Sequence, residues 1–448
     1  MLVLINTYSA TLHCKYMYKK HPKSLWILSF GKLWDTFSYF GTQTILVLYF
    51  IHIFHLGRND SYLIYGAYTT FVFSTPILGG VIADRWIGSK NALIIGSIMN
   101  VAGNLILMSF SRYLFCFGLA VSLIGSGLYK SNSTHLIGTL YKDGDLKKET
   151  GFTWCYLATN IGGTLGPLVY GFAVYSIGWN YGFLCSAIGI LVATAWVLKN
   201  WTTLEGNQKH LQKQLTPQAK LLLIVAIYLL CLLLSIPFYM PTTINPIICI
   251  MFVIGIIYLI RKIFRYKGAE RRKLLTLLIL SFFGMFYFAA GLQIGTTVTL
   301  FIQYKIQQGN INTALPASTF NMLYALFVVI LVPLFTTLWH QLRKRQISPS
   351  APAKLAIGIC LAVLGMGAFA IASATDLVIT GIVVGYLLLS AGELTLTPGI
   401  YTVISDTSPM GMKSTMMGGW LFFVALGGYV SSLLADLSHY MSDIFGLE

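Results

Sequence analysis

Apolar runs long enough to cross a bilayer as helices follow one another along almost the whole sequence. They lie near 26–54, 62–83, 91–110, 113–137, 150–174, 181–198, 219–236, 243–261, 274–303, 317–339, 353–373, 377–401 and 414–435. A hydrocarbon core of about 30 Å admits only backbones that satisfy their own hydrogen bonds, and runs of this length specify helices rather than barrel strands. The chain is therefore read as an all-α polytopic membrane protein. Composition agrees, because 56% of the 448 residues are hydrophobic and 10% are charged, against roughly a quarter charged in soluble domains. No room is left for a large soluble domain, so a soluble enzyme is excluded.

Thirty Lys and Arg stand against fourteen Asp and Glu, a net charge of +16 that in a soluble chain would suggest nucleic acid. Position decides otherwise. With the N-terminus in the cytoplasm, the segments around 1–25, 84–90, 138–149, 199–220, 262–273, 340–354 and 402–413, together with Arg261, hold 25 of the 30 basic residues. Arg58, Arg112 and Lys305 fall outside, and Lys32 and Lys130 lie within spans. This is the positive-inside bias of a multi-pass protein. It implies a cell membrane, an inner membrane if bacterial, with lipid as neighbour and no nucleic-acid partner. The basic run RKIFRYKGAERRK at 261–273 either orients the helices or meets anionic headgroups. The seven cysteines include no close pair and mostly sit in apolar runs, so neither disulfide nor metal site is expected. Residues 1–16 look like neither a span nor a targeting signal, which places the biological start at Met17.

The polar segment 199–220 follows six spans, and two modest spans, the first interrupted by Pro237 and Pro241, precede a second series of long runs. The expected division is a cytoplasmic segment 1–25, a six-helix lobe 26–198, a linker with two additional helices 199–273, and a second lobe 274–448. After 414–435 only DLSHYMSDIFGLE remains, with no apolar stretch for a further span.

Four ionisable residues interrupt the spans: Lys32, Asp35, Lys130 and Glu393. Each costs about 2.5–3.5 kcal/mol at mid-helix by insertion scales, so each should face a partner or an aqueous cavity. Lys32 and Asp35 are i and i+3 on one helix face, close enough to pair, and Asp35 has the better claim to a proton or gating role because a lysine so near the helix end can snorkel. Lys130 in GSGLYKSNSTH and Glu393 in LLLSAGELTLTPG place an amine and a carboxylate on polar stretches of opposite bundles. Together they could hold the two ends of a zwitterion, or join the bundles as a gating ion pair. Tyr39, Phe40, Gln43, Tyr49, Tyr68, Phe73 and Asn160 from the first bundle, and Gln293, Thr296, Tyr324 and Trp420 from the second, could line the cavity between. His135 is read as a packing residue. IGGTLG lies inside an apolar helix, not at a strand-to-helix turn, so no dinucleotide cofactor is read from it.

At these motifs the chain resembles the proton-dependent oligopeptide transporter family of the major facilitator superfamily. HPKSLW at 21–26, DTFSYFG at 35–41, TPILGGVIADRWIGSK at 75–90, GLYKSN at 127–132, NIGGTLGP at 160–167, GWNYGF at 178–183, GELTLTPG at 392–399 and MMGGWLF at 416–422 carry the resemblance in family order. It implies twelve core helices in two lobes, two inserted helices in bacterial members, no resident cofactor, and import of di- and tripeptides with protons by alternating access. It also implies that Lys130, Tyr39, Asn160 and Glu393 fall on the family's fourth-helix lysine, first-helix tyrosine, fifth-helix asparagine and tenth-helix glutamate. The chain departs from the pattern elsewhere. The first-helix ExxERF is Lys32-Leu33-Trp34-Asp35-Thr36-Phe37, a helical arginine becomes Gln43, a seventh-helix glutamate aligns with Leu292, the eighth-helix Asn-Pro is Tyr324-Ala325, and a first-helix tyrosine is Phe40. The alternatives these departures raise are a non-peptide or modified-peptide substrate with altered proton coupling, and a truncated non-transporting membrane protein or sensor.

Overall fold

The computed structural model describes residues 21–204, 216–295, 297–311, 320–346 and 349–445, the last stretch by its backbone alone beyond 434. Cys14, Met17 and Thr296, most of the N-terminal segment and the middle of the polar linker lie outside the described residues. Fourteen helices account for nearly all of the described chain: α1 Lys23–His52, α2 Arg58–Ile82, α3 Gly88–Ile106, α4 Arg112–Thr139, α5 Leu146–Ser176, α6 Asn180–Lys199, α7 Pro217–Tyr239, α8 Ile244–Phe264, α9 Gly268–Gly291, α10 Thr297–Gln307, α11 Met322–Lys344, α12 Ala351–Ala374, α13 Val378–Thr407 and α14 Lys413–Phe445.

Ten helical stretches are long and apolar enough to cross a membrane, with α2–α3 and α9–α10 each counted as one. Local chemistry sets the ends. Asp145, Thr216 and Ser350 cap α5, α7 and α12 by accepting a backbone N–H that the first turn leaves free, and Pro217 occupies a first-turn position where its missing donor costs nothing. A π-helical turn, Ala83–Ile87, joins α2 to α3 and ends at Gly88, whose φ of 75° suits a residue without Cβ. A 3₁₀ turn, Leu292–Gly295, separates α9 from α10 within the single apolar run read from the sequence. α7 runs through Pro237 and stops before Pro241, and α14 extends ten residues past the expected end at 435.

The first six helices interlock, with α1 against α5 and α6, α3 against α4 and α6, and α2 against α4. Among the last six, α12 lies on α13, α9 on α14 and α12, and α11 on α13. α7 leans on α4, and α8 on α2 and α9. Contacts between the two series run through α2 with α14 and α5 with α11 and α13. At Gly80 and Gly418 a Cβ would overlap backbone atoms of Ser414 and Pro76, so α2 and α14 touch main chain to main chain. Outward-facing residues of α7 and α8 are apolar and exposed, Leu222 at 70% and Ile254 at 61%, as lipid-facing surfaces require. With α9 and α10 counted as one, the described residues hold eleven core helices besides α7 and α8, one fewer than the resemblance implies. The six described cysteines are free thiols.

Candidate functional site

Three of the four interior charges, Lys32, Asp35 and Lys130, lie on helices of the first six, and Glu393 lies on α13. Asp35, 4% exposed on α1, forms an ion pair with Lys130 of α4 at 3.2 Å. Its other oxygen accepts from Ser126 Oγ at 2.7 Å and from Asn100 Nδ2 at 3.1 Å. Lys130 also donates to Ser126 Oγ at 2.8 Å and lies 5.1 Å from the Tyr39 ring centroid, a cation–π distance. Both carboxylate oxygens are thus engaged by donors, as an ion pair kept out of water requires.

The sequence reading placed Lys32 beside Asp35, and here the structure corrects it. Lys32 donates to Thr134 Oγ1 on α4 at 2.7 Å, and Asp35 takes Lys130 instead. Helical spacing brings two side chains to one face, but packing of α1 against α4 offers each a nearer partner. Nor does Lys130 pair with Glu393 in this conformation. Glu393, 7% exposed on α13, lies near Tyr156 of α5, and Asn160 one turn further donates to the Tyr156 carbonyl at 3.0 Å.

Four polar residues absent from the sequence expectations, Asn100, Asn104, Ser122 and Ser126, surround the pair. Asn100 of α3 is fixed in orientation because its Oδ1 accepts from Ser122 Oγ at 2.7 Å and Asn104 Nδ2 at 3.0 Å, which turns its amide nitrogen to Asp35. Asn104 in turn exchanges hydrogen bonds with Ser38. Two small cavities flank Asp35, one lined by Gly31, Ser97, Tyr129 and Thr194, the other by Ser38, Tyr39, Tyr68 and Ser122. The available signal was spacing: Asn100/Asn104 and Ser122/Ser126 are i, i+4 pairs, hence polar stripes on otherwise apolar helices.

The end of the bundle that carries the basic loops is closed. Lys148, fully buried, pairs with Asp143 and with Asp406 beyond α13's midpoint, while Lys354 at the start of α12 pairs with Glu149 of α5. Asp84 accepts from the backbone N–H groups of Ser414 and Thr415 at 3.3 and 2.7 Å, and from Thr415 Oγ1 at 2.7 Å, an acidic residue held at the N-terminus of α14. Ser89 and Ser414 share a hydrogen bond at 2.9 Å.

A model of the POT family (PTR2) matches residues 90–446. The chain belongs to the POT family. Among its relatives is the peptide transporter YePEPT of Yersinia enterocolitica, 28% identical over 92% of this chain and 87% of that protein. Dipeptide and tripeptide permease A of Escherichia coli is 23% identical over 96% of this chain and 88% of the permease. A solved peptide transporter POT in complex with sulfate aligns with a TM-score of 0.70 at 26% identity, over 93% of this chain and 89% of the other. The fold is thus that of an all-α multi-pass transporter, not an enzyme.

Within this POT chain the remaining expected residues scatter more widely. Tyr39 stacks on Tyr68 at 5.6 Å and meets Phe73 edge-on at 5.7 Å, so these three form one aromatic wall beside Lys130. Gln43 donates to the Tyr65 hydroxyl at 3.0 Å. Gln293 is tied to the Ser431 carbonyl at 3.0 Å and accepts from Thr297. Trp420, 1% exposed, packs on Phe288 and against Gly284. Tyr324 is half-buried, and its carbonyl accepts from Ser390. Tyr156 of α5, absent from the residues expected to line the cavity, lies beside Glu393.

Proposed function

We propose that this chain imports di- or tripeptides together with protons by alternating access, with its basic loops and N-terminus in the cytoplasm. Two lobes, 26–198 and 274–448, move against each other, and the linker with its two helices, 199–273, joins them. In this reading the closed basic end is the cytoplasmic gate, and the conformation is the one that precedes release inward. The observation that carries the proposal is the family match over residues 90–446 combined with the Asp35–Lys130 pair, a compensated charge buried where a membrane protein tolerates none without use.

The roles follow from chemistry. Lys130 meets the peptide carboxylate and, between substrates, returns to Asp35. Protonation of Asp35 frees Lys130 for the substrate, which links proton and peptide in one site. Lys32, held by Thr134, keeps a second positive charge near Lys130 and takes part in gating. Glu393 receives the peptide amine. Tyr39, Gln43, Phe73 and Asn160, with Gln293, Tyr324 and Trp420 from the opposite lobe, line the path for side chains. Small peptides or related zwitterions are the partners, and the proton gradient is the energy source.

Uptake of labelled di- and tripeptides into proteoliposomes tests this directly. An inward proton gradient should accelerate uptake, and Asp35→Asn, which preserves shape and most hydrogen bonds, should reduce it to the gradient-free rate. Folded protein that takes up no peptide defeats the substrate assignment, while gradient-independent uptake by the unaltered chain defeats symport.

A further inference from the structure

We propose that the basic end carries a binding site for the headgroup of an anionic phospholipid, built from Arg85, Tyr258, Lys262 and Arg265. These residues come from the turn between α2 and α3 and from the last two turns of α8. The Arg85 guanidinium and the Lys262 ammonium each lie 5.8 Å from the Tyr258 ring centroid. Arg265 also lies near enough to act electrostatically on both Tyr258 and Lys262. Arg85 and Arg265 are exposed.

Two observations show that the cluster lacks an acceptor. The Tyr258 hydroxyl is buried with no hydrogen-bond partner, which is costly for a phenol. Asp84 is the carboxylate acting on the cluster, but its oxygens are committed to Ser414 and Thr415 of α14. Two cations therefore lie against the ring of an unsatisfied phenol, a third acts on it electrostatically, and the carboxylate that acts on them is already engaged.

A phosphodiester answers both needs. Its oxygens accept from the tyrosine hydroxyl and from forked guanidinium groups, whose long stems can reorient to admit it. A lipid fits better than free phosphate because Trp86 and Phe264, 41% and 59% exposed, flank the cluster with the aromatic surfaces found at headgroup depth. Lys262 also donates to Thr415 Oγ1 at 3.2 Å, so a headgroup here would touch α8, the α2–α3 turn and the start of α14 at once. The exposed Lys267 and Lys273 serve as an internal comparison.

Native mass spectrometry of the full chain, supplied with equal phosphatidylglycerol and phosphatidylcholine, tests the site. The protein should retain phosphatidylglycerol preferentially. Arg85→Gln with Arg265→Gln should lower retention about fivefold for each cation removed. Tyr258→Phe keeps every charge and should still lower retention severalfold, so the test survives if the double variant misfolds. Lys267→Gln with Lys273→Gln should retain the lipid as the unaltered chain does. The proposal is overturned if Tyr258→Phe has no effect, if the Lys267/Lys273 variant loses lipid as severely as the arginine variant, or if inorganic phosphate displaces the lipid as readily as added phosphatidylglycerol.

Discussion

Asp35 and Glu393 are both carboxyl groups buried at mid-helix, but their surroundings differ in kind. Asp35 receives a cation, a hydroxyl and an amide from α3 and α4, helices of its own bundle. Glu393 has no cation within ion-pair distance among the described residues, and its near neighbours are the phenols of Tyr156, Tyr287 and Tyr401. Tyr156 comes from α5, across the boundary between bundles, so relative motion of α5 and α13 changes the surroundings of Glu393 directly. Asp35 can exchange partners while its bundle remains rigid. The difference fits the two proposed tasks, a locally switched charge pair on one side and, on the other, a carboxyl whose surroundings include a residue of the opposite bundle.

The most damaging way to break this distinction is Lys130→Ala. It leaves Asp35 buried beside donors too weak to replace a cation, and the expected cost is about 3–5 kcal/mol of stability. Peptide uptake should fall by about a hundredfold or more. Adding Asp35→Asn should recover most of the stability, measured by thermal melting in detergent, but not uptake. A single variant with an unchanged melting temperature would show that the pair is not compensating a buried charge.

A smaller effect is expected from Glu393→Gln, which keeps a hydrogen-bonding group beside Tyr156 and removes only charge. If Glu393 receives the peptide amine, apparent affinity should fall by about 10- to 100-fold, the range of a charge-assisted hydrogen bond. N-acetylated peptides, which carry no amine charge, should lose none of their affinity. Competition against a labelled dipeptide measures both, and equal losses for free and acetylated peptides would remove the assignment.

How much of this was legible follows from the distances over which each interaction acts. The spans could be read because a helix in lipid needs an unbroken apolar run, a property of contiguous residues. For Lys32 and Asp35, spacing reports only a shared face, while the groups they bond, Thr134 and Lys130, lie about a hundred residues away in sequence. Asn100 and Asn104 were readable as a stripe and were passed over in favour of full charges. The break between α9 and α10 and the length of α14 depend on packing, since apolar composition alone does not say where a helix turns. Tyr156 carried no signal, because tyrosine is ordinary in such helices.

The second shell gives a finer test of the local pair. Asn100→Ala removes a donor to Asp35 and the acceptor used by Ser122 and Asn104, all of them buried. The expected loss is about 1–3 kcal/mol. Asn104→Ala should cost less, because Asn100 keeps its bonds to Ser122 and Asp35. Thermal melts of the two variants rank them, and the reverse order would mean that Asn104, not Asn100, anchors the network.

The smallest effect concerns a titrating group outside the bundle's interior. His21, just before α1, hydrogen-bonds to the Tyr141 hydroxyl at 2.8 Å. Burial, aided by the positive charge of Lys147 and opposed by Asp145, lowers its pKa below the ordinary 6.5. The unfolded chain therefore binds the proton first as pH falls, so this residue's contribution to stability is complete above pH 6.5 and declines below it, until the folded-state pKa is passed. Melting temperature should drop slightly across that window, and His21→Gln should flatten the drop while leaving the buried Asp35 network untouched. If the variant and the unaltered chain decline in parallel, the acid sensitivity arises elsewhere, and the N-terminal contact with Tyr141 plays no part in it.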